Sequence, residues 1–242
     1  MSKIPGGIYP VMITPFTADN QVDYEAVDRI VEFYAQNGCH GVFAVCQSSE
    51  MFRLTEDECV RLAGRVVRAV AGRMAVVASG YTAERLDDQI CGLKRMADTG
   101  VDTVVMISNR LAPPEENDDA LIARMNTILK AIPDATFGMY ECPYHYKRML
   151  TDRVLKAMTR SGRFTFIKDT CCSAPLIAER MRLLDGRVQL FNANCATALE
   201  TFEAGAAGFS GIMANYFPDL LVWMYENYRV QPERARPLSS ML

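Results

Sequence analysis

The chain has 242 residues, half of them hydrophobic, and its 26 basic and 29 acidic side chains give a formal net charge of −3. This length and apolar content suit one large α/β domain with a sizeable core, or two small domains. The charges are mixed and form no basic block, which argues against nucleic acid as a partner. Neither residues 1–7 nor any later apolar run suits an export signal or a membrane span, so we expect a cytoplasmic protein with no membrane partner.

Short runs rich in β-branched and aromatic residues alternate along the chain with amphipathic stretches of helical period, a pattern typical of repeated βα units. The predicted strands are residues 8–16, 41–46, 74–80, 103–108, 136–142, 164–170, 188–194 and 208–213. Helices are predicted between them. Thr55 and Glu58 have the spacing of a capping box at the start of the second helix, and Gly162 lies where a later helix should end.

Eight strand–helix alternations with no Pro/Gly/Ser-rich linker predict a single (β/α)8 TIM barrel. A doubly wound open sheet has the same local pattern and is the alternative, but the count of eight favours closure. We place the barrel in residues 1–216 and a short C-terminal helical tail in residues 217–242. One helix is predicted over residues 218–229, with no clear pattern beyond it.

A lysine near the end of the sixth strand is the first candidate functional residue, because the carboxyl ends of barrel strands form the open face. Strands of a parallel barrel are buried on both faces, so Lys168 is hard to explain as a solvated side chain. A partly desolvated lysine can attack a ketone as a neutral amine and form an iminium. The alternative is a lysine that reaches solvent at the barrel rim, paired with Asp169, and the strand pattern alone does not separate the two.

A tyrosine, Tyr140, lies near the end of the fifth strand, which neighbours the strand that carries Lys168. Neighbouring strands lie about 4.8 Å apart, so its phenol should be near the amine of Lys168 and could transfer protons during iminium chemistry. Taken alone, Tyr140 is more often a core aromatic with a satisfied hydroxyl. The combination with Lys168 is what indicates a catalytic site.

These motifs resemble the dihydrodipicolinate synthase and N-acetylneuraminate lyase family of pyruvate-handling class I lyases. The resemblance covers nearly the whole barrel and rests on the opening strand at residues 7–16, on Tyr140-Glu141-Cys142-Pro143 in place of Tyr-Asn-Val-Pro, and on Ile167-Lys168-Asp169-Thr170 in place of Ile-Lys-Glu-Ala. It implies a catalytic Schiff base on Lys168, an acid/base role for Tyr140 and a small 2-oxo acid as substrate.

The loop after the second strand departs from the family pattern. The family usually carries Gly-Thr-Thr-Gly-Glu or Gly-Ser-Thr-Gly-Glu there, and this chain has Cys46-Gln47-Ser48-Ser49-Glu50. By the resemblance, Ser48 is the best candidate to hold the carboxylate of the 2-oxo acid, assisted by Gln47 or Ser49. The alternative is a polar turn that caps a helix.

Two further departures concern the second substrate. The synthase branch has a tyrosine after the fourth strand that completes a proton relay across a subunit interface, and residues 106–110 contain none. His145 stands where the synthase carries its substrate-binding arginine, so His145 is a candidate substrate-binding residue and dihydrodipicolinate synthesis itself is not favoured. Arg110, Lys147 and Arg148 are candidates for holding an acidic substrate tail, with an ordinary surface charge as the alternative for each.

The favoured function is therefore a Schiff-base lyase or aldolase that acts on pyruvate or a related 2-oxo acid. The alternatives are a dehydratase or hydratase-aldolase of another 2-oxo acid, and a catalytically silent homologue that binds such an acid, which the altered loop suggests. Members of the family usually extend further at the C-terminus and form tetramers. Because this tail is short, we expect a homo-oligomer that is either a dimer or a tetramer.

Cofactor and metal sites are not expected. The two histidines and eight scattered cysteines offer neither a C-x-x-C pair nor a metal-ligand spacing, so we expect reduced thiols and no metal. Five of the cysteines fall near the expected open face, where a thiol-lined pocket is weighed against ordinary buried cysteines. The small-residue run at 204–208 precedes a strand instead of following one, so no dinucleotide cofactor is predicted.

Overall fold

A computed structural model describes residues 4–242 of the chain. Residues 1–3, part of the segment in which no export signal is expected, lie outside the described residues. None of the helices formed by residues 4–242 combines the length and the apolar character needed to cross a membrane.

Eight parallel strands form one sheet, in the spatial order β1-β8-β7-β6-β5-β4-β3-β2. The strands are β1 (Gly7–Ile8), β2 (Gly41–Phe43), β3 (Ala75–Ala78), β4 (Thr103–Ile107), β5 (Phe137–Tyr140), β6 (Phe164–Asp169), β7 (Gln189–Asn192) and β8 (Gly208–Phe209). The chain after β1 closes the sheet onto β2 through a parallel bridge between Val11 and Phe43, where the Met12 amide donates to the Phe43 carbonyl at 3.0 Å. The (β/α)8 barrel predicted from the sequence is confirmed.

The strands are shorter than the apolar runs that predict them. The run at residues 8–16 contributes only Ile8 to the ladder with β8, and Val11 and Phe16 to isolated bridges, because Pro10 and Pro15 have no amide hydrogen to donate to a ladder. Residues 44–46 continue past the end of β2 as buried chain, and Ala44 and Val45 still hydrogen-bond through the backbone to Val77 and Ser79. Such extensions carry the chain from the barrel wall to its carboxyl-end face.

Helices connect the strands and cover the barrel. They are α1 (Tyr24–Gln36), α2 (Glu56–Val70), α3 (Leu86–Ala97), α4 (Ser108–Leu111), α5 (Asp118–Ala131), α6 (Asp152–Ser161), α7 (Ala174–Leu184), α8 (Ala198–Glu203), α9 (Pro218–Asn227) and α10 (Pro232–Met241). The predicted capping box is present at α2, where the Glu58 amide donates to the Thr55 hydroxyl at 3.2 Å and the Thr55 amide donates to the Glu58 carboxylate at 2.8 Å. Gly162 ends α6 in the left-handed conformation, as predicted.

The residues assigned to a C-terminal tail contain both α9 and α10. The helix predicted over residues 218–229 is α9, which packs against β1. Its Tyr225 ring lies 5.4 Å from the ring of His40, the residue before β2. Helix α10 has no counterpart in the prediction. Its buried face is reduced to Ala235, which is too little to give the sequence a helical hydrophobic period. The domain boundary at residue 216 stays a prediction.

Aromatic rings fill the middle of the barrel. The Phe166 ring lies 4.8 Å from Phe191 and 5.7 Å from Phe43, and Tyr9 lies 4.6 Å from Phe191. Phe43 also contacts Tyr140 at 5.7 Å, edge to face. The aromatic layer therefore forms an apolar floor beneath the carboxyl ends of β5 and β6.

Candidate active site

Lys168 lies on this floor with its side chain inside the barrel. The residue is 5% exposed, and its Nζ sits 4.4 Å from the centre of the Tyr140 ring and 5.6 Å from that of Phe43. Burial lowers the pKa of Lys168 from its usual 10.5, and the Cys46 and Cys142 thiols oppose this shift only in part. The structure thus favours the neutral, nucleophilic form of the amine.

The rim interpretation of Lys168 does not agree with the structure. No carboxylate of the described chain lies within ion-pair distance of its amine, and Asp169 pairs with Arg180 instead. A lysine that reached solvent would also be exposed, whereas Lys168 is enclosed by aromatic side chains.

Tyr140 faces Lys168 directly, because the two residues are register partners on β5 and β6. Its hydroxyl donates to the Gln47 side-chain oxygen at 3.4 Å. Burial raises the pKa of Tyr140 well above 10, and the Cys142 and Cys46 thiols add to the shift. The phenol is therefore protonated at neutral pH and can donate a hydrogen bond or a proton to a group bound at the amine.

Two thiols border the pair. The Cys142 Sγ lies 3.6 Å from the same Gln47 oxygen, and the Cys46 Sγ lies 3.6 Å from the Ser49 hydroxyl. Burial raises the pKa of Cys142, so its sulfur remains a thiol at neutral pH. Both cysteines are free and buried, and they add small side chains to the walls of the pocket.

The loop after β2 forms a short 3-10 turn at Gln47–Ser49, with the Gln47 amide turned toward Tyr140. Ser49 is fully buried, with its hydroxyl 2.7 Å from the Met12 carbonyl and 3.1 Å from the Cys46 amide, which donates to it. Ser48 is half-buried and its hydroxyl makes no hydrogen bond within residues 4–242. Ser48 and Gln47 can therefore meet a ligand directly, whereas Ser49 acts on the shape of the turn.

His145 lies further out on the same face. It is exposed, and its ring packs 3.8 Å from Tyr144 and 6.0 Å from Phe52. Together with Arg110 it borders a cavity of about 630 Å³ formed by the loops after β3, β4 and β5. His145 thus lies on the exposed part of this face, whereas Lys168 and Tyr140 are buried inside the barrel.

A buried ion network behind the site was not predicted. Arg180 on α7 is 2% exposed, lies 2.8 Å from a Glu141 carboxylate oxygen, and also binds Asp169. A second donation from Arg180 reaches the Leu150 carbonyl at 2.8 Å, and the Leu150 amide donates to Glu141 at 2.7 Å. The period-two alternation of a strand indicates that Glu141 and Asp169 point away from Tyr140 and Lys168, but it does not identify Arg180 as their partner.

The network combines one guanidinium with two carboxylates, so its charges do not cancel. Burial raises the pKa of Glu141, and the neighbouring Asp169 carboxylate raises it further against the opposing effect of Arg180. Burial also opposes the charged form of Arg180, but the two carboxylates outweigh it and hold its pKa above the usual value. One guanidinium therefore compensates two carboxylates in a region that excludes water.

The described part of the chain contains no candidate metal site. Within residues 4–242, no group of three or more His, Cys, Asp or Glu side chains is arranged to hold a metal ion.

A closed barrel with a buried lysine at the end of its sixth strand and a tyrosine opposite it defines a (β/α)8-barrel protein whose site lies at the carboxyl-end face. Comparison with known families agrees with this class, since the model of the dihydrodipicolinate synthetase family matches residues 4–240. The chain belongs to this family.

Relatives of known name are similar over most of the chain. A 4-hydroxy-tetrahydrodipicolinate synthase from Marinobacter nauticus is 25% identical over 220 residues, covering 91% of this chain and 74% of the relative. An uncharacterised DapA-like lyase from Halobacterium salinarum is 27% identical over 237 residues, covering 97% and 76%.

Solved structures share the fold. The chloride-inhibited dihydrodipicolinate synthase from Acinetobacter baumannii, complexed with pyruvate, superposes with a TM-score of 0.88 at 20% identity, covering 98% of this chain and 80% of that one. A monomeric dihydrodipicolinate synthase variant gives 0.89 at 17% identity, covering 98% and 79%.

Proposed function

We propose that the protein is a Schiff-base-forming lyase or aldolase that acts on pyruvate or a related 2-oxo acid, with Lys168 as the amine. The observation that carries the proposal is the burial of Lys168 against the Tyr140 ring without a carboxylate partner. Family membership supports it, as does the bound pyruvate of the relative from Acinetobacter baumannii.

In the proposed reaction, the neutral Lys168 amine attacks the C2 carbonyl of the 2-oxo acid, and loss of one water gives an iminium. Removal of a proton from C3 converts the iminium to an enamine, whose C3 can attack an aldehyde carbonyl. The new carbon–carbon bond forms as the aldehyde oxygen takes a proton, and hydrolysis of the iminium restores the amine. Cleavage is the same sequence in reverse.

Tyr140 is the proton-transfer group in this proposal. Its phenol lies beside the amine and is held by Gln47, whose side-chain amide accepts the hydrogen bond but cannot pass a proton on. Tyr140 therefore exchanges its proton with the substrate oxygens and not with the loop. The tyrosine with which the synthase branch completes its proton relay has no counterpart in residues 106–110.

Ser48, with the Gln47 amide, is proposed to hold the carboxylate of the 2-oxo acid, and Ser49 to assist by holding the turn. The second substrate is proposed to differ from that of dihydrodipicolinate synthesis, because His145 replaces the expected arginine and Ile107-Ser108-Asn109-Arg110 contains no tyrosine. No cofactor is required by these steps.

We also propose that the protein works in the cytoplasm as a homo-oligomer, a dimer or a tetramer. Exposed apolar side chains at the carboxyl-end face offer surface for association, among them Tyr144, Ile212, Tyr216 and Phe217. Sedimentation equilibrium of the native chain tests the assembly, and a monomer at all concentrations would contradict it.

Reductive trapping tests the Schiff base. The intact mass of the native chain is measured after incubation with pyruvate and borohydride, beside Lys168→Ala, Lys168→Met and the exposed-lysine control Lys156→Ala. We expect one pyruvate-sized adduct on the native chain and on the control, and none on either Lys168 variant. Folded native protein that gives no adduct would overturn the proposal.

Turnover is tested separately with a panel of aldehydes and 2-oxo acids. Release of pyruvate from a 4-hydroxy-2-oxo acid supports the lyase, whereas loss of water without carbon–carbon cleavage indicates a dehydratase. Trapping without turnover on any substrate of the panel indicates a silent homologue, for which the altered loop at Gln47–Ser49 is the structural reason.

A further inference from the structure

Iminium formation at Lys168 leaves a negative charge in the pocket. The neutral amine and the 2-oxo acid first give a carbinolamine, and a proton from Tyr140 lets its hydroxyl leave as water. The iminium is then cationic, and the phenol that gave the proton is an anion. No carboxyl group of residues 4–242 lies within ion-pair distance of the Lys168 amine, so the negative charge stays on Tyr140 unless another side chain supplies a proton.

Tyr140 is poorly suited to keep this charge. Burial raises its pKa well above 10, which means that the pocket disfavours the phenolate. The hydroxyl donates to the Gln47 side-chain oxygen at 3.4 Å, and that oxygen accepts a hydrogen bond from the phenol but has none to donate to a phenolate. A neighbouring group with a proton to give would therefore stabilise the site during the reaction.

Cys142 is such a group. It lies two residues after Tyr140, is fully buried, and its thiol donates at 3.6 Å to the same Gln47 oxygen that the phenol binds. The two side chains also interact with each other. Burial raises the pKa of both, and the hydrogen bond between them lowers the pKa of Cys142 and raises that of Tyr140 further. The thiol and the phenol are thus within reach of one another.

The surroundings of the sulfur favour a thiolate over a phenolate. Although burial raises the pKa of Cys142, a hydrogen bond with the Tyr144 backbone lowers it, as does the positive charge of Lys168. A free thiol is already more acidic than a free phenol. When the pair loses one proton, the sulfur is therefore the better place for the charge, and the Lys168 nitrogen is near enough to attract it.

We propose that Cys142 passes its proton to the Tyr140 oxygen as the carbinolamine loses water, and holds the negative charge as a thiolate while the substrate is an iminium. The carbinolamine C–O bond breaks as the phenol gives up its proton, and the phenol O–H bond is remade with the proton of the S–H group, without electron transfer. Removal of the C3 proton through Tyr140 later returns a proton to the sulfur. This inference rests on the proposed function and adds Cys142 as a positioning residue that acts through Tyr140.

Infrared difference spectroscopy tests for the thiolate directly, because the S–H stretching absorption disappears when a thiol ionises. Spectra of the native chain are recorded with and without pyruvate, under the conditions that give the trapped adduct. We expect pyruvate to remove the absorption of one S–H group. The loss should be absent in Cys142→Ala and unchanged in the control Cys91→Ser, which removes an exposed thiol on α3.

Cys46 provides the comparison within the pocket. Its thiol also borders Lys168 and Tyr140, but it faces the Ser49 hydroxyl at 3.6 Å. Cys46→Ala should therefore keep the loss of S–H absorption that pyruvate causes. A loss that disappears in Cys46→Ala and persists in Cys142→Ala would overturn the assignment to Cys142.

Steady-state kinetics separate this role from simple packing. Cys142→Ser keeps nearly the same side-chain size but carries a hydroxyl that is far less acidic than a thiol. We expect kcat of the aldol reaction to fall about 10–150-fold in both Cys142→Ser and Cys142→Ala, the equivalent of one hydrogen bond to a charged group, with KM for pyruvate nearly unchanged. If Cys142 only filled space, Cys142→Ser would keep the native kcat.

The outcomes distinguish this inference from the proposed function. A trapped pyruvate adduct on the native chain without loss of S–H absorption would overturn the role of Cys142 and leave the Schiff base in place. Native kcat in folded Cys142→Ser would do the same. Absence of an adduct on the native chain is instead the failure of the proposed function, and the role of Cys142 falls with it.

Discussion

At the carboxyl ends of β5 and β6, buried titratable side chains have different environments on the two faces of the barrel wall. Inside the barrel, Lys168 and Tyr140 lie in an aromatic pocket without a counter-ion. One residue further along each strand, Asp169 and Glu141 point to the helix layer and share Arg180. Asp169 is thus paired with a cation, whereas burial without a partner lowers the pKa of Lys168, and the alternation of the strand decides which environment each side chain enters.

The separation has a chemical consequence for the amine. If Asp169 paired with Lys168, the carboxylate would favour the ammonium form and suppress the nucleophile. Because Arg180 binds both carboxylates behind the strands, they do not reach the amine. The network therefore helps to keep carboxylates away from the amine, in addition to joining β6 and the end of β5 to α7.

Removing the guanidinium should have the largest effect on folding. Arg180→Met leaves Glu141 and Asp169 buried without a cation, and breaking a buried ion pair in this way typically destabilises a protein by about 3–5 kcal/mol. We expect a loss of that size in the free energy of unfolding, measured by urea denaturation at pH 7.

Arg182→Met is the control for this variant, because Arg182 lies on the same helix but is exposed. Its effect should stay within about 0.5 kcal/mol. A loss below 1 kcal/mol in Arg180→Met would mean that the carboxylates relax to water or become protonated at little cost, and the contrast between the two faces would not hold.

On the inner face, removing the Tyr140 hydroxyl should affect chemistry and not folding. The aromatic ring keeps its contact with Phe43 in Tyr140→Phe, but the proton donor next to Lys168 is lost. We expect kcat of the aldol reaction to fall about 100-fold or more, the usual contribution of a positioned acid or base. Stopped-flow or coupled assays of pyruvate release measure it.

Tyr228→Phe removes an equivalent hydroxyl outside the barrel, where it donates to the Phe202 carbonyl at 3.0 Å. It should leave kcat unchanged. If Tyr140→Phe retained native kcat while folded, another group would have to transfer the proton, and the Cys142 thiol would be the next candidate.

The inner face could be predicted from the sequence, and the outer face could not. Eight strand-like runs predict parallel strands, and parallel strands place equivalent carboxyl ends together, so Lys168 and Tyr140 were expected to meet. Arg180 gives no such signal. Arg180 is one of several arginines in the sequence, and only its contacts with Glu141 and Asp169 in the folded chain show that it is a buried one.

The exact ends of the strands also could not be predicted from the sequence. Hydrophobic runs continue past the strands into buried chain, as at residues 44–46, so a hydrophobic run alone does not show where a strand ends. The surroundings of Arg110 could not be predicted either, since they depend on how its neighbours Arg124 and Arg148 pair.

The lowered pKa of Lys168 predicts a specific pH dependence. The rate of pyruvate trapping should rise with pH as the amine loses its proton and level off below 10.5, the usual lysine value. Cyanoborohydride trapping followed by mass spectrometry measures the rate, with N-acetyl-lysine methyl amide as the free-amine reference. A profile that coincides with the reference would show that the pocket does not desolvate Lys168.

Stability should respond to the same shift with a defined sign. Between the folded pKa of Lys168 and 10.5, the unfolded chain binds more protons than the folded one, so the free energy of unfolding rises with pH there. The destabilising contribution is complete below the folded pKa and disappears as the pH reaches 10.5. Lys168→Met should abolish this part of the pH dependence, and a persisting slope would assign it to another group.

The smallest effect is expected for a pair of neutral hydroxyl groups that, like the ions of the network, are buried and bonded to each other. The Thr103 and Thr165 hydroxyls, on β4 and β6, lie 2.9 Å apart and are buried. Thr103→Val alone leaves one hydroxyl without its partner and should cost about 1–3 kcal/mol, whereas replacing both threonines by valine should cost less than the single change. Urea unfolding of the two single variants and the double variant measures this. A double variant that loses the sum of the single effects would show that the hydroxyls act independently, and pairing would then matter only for the charged groups of this barrel.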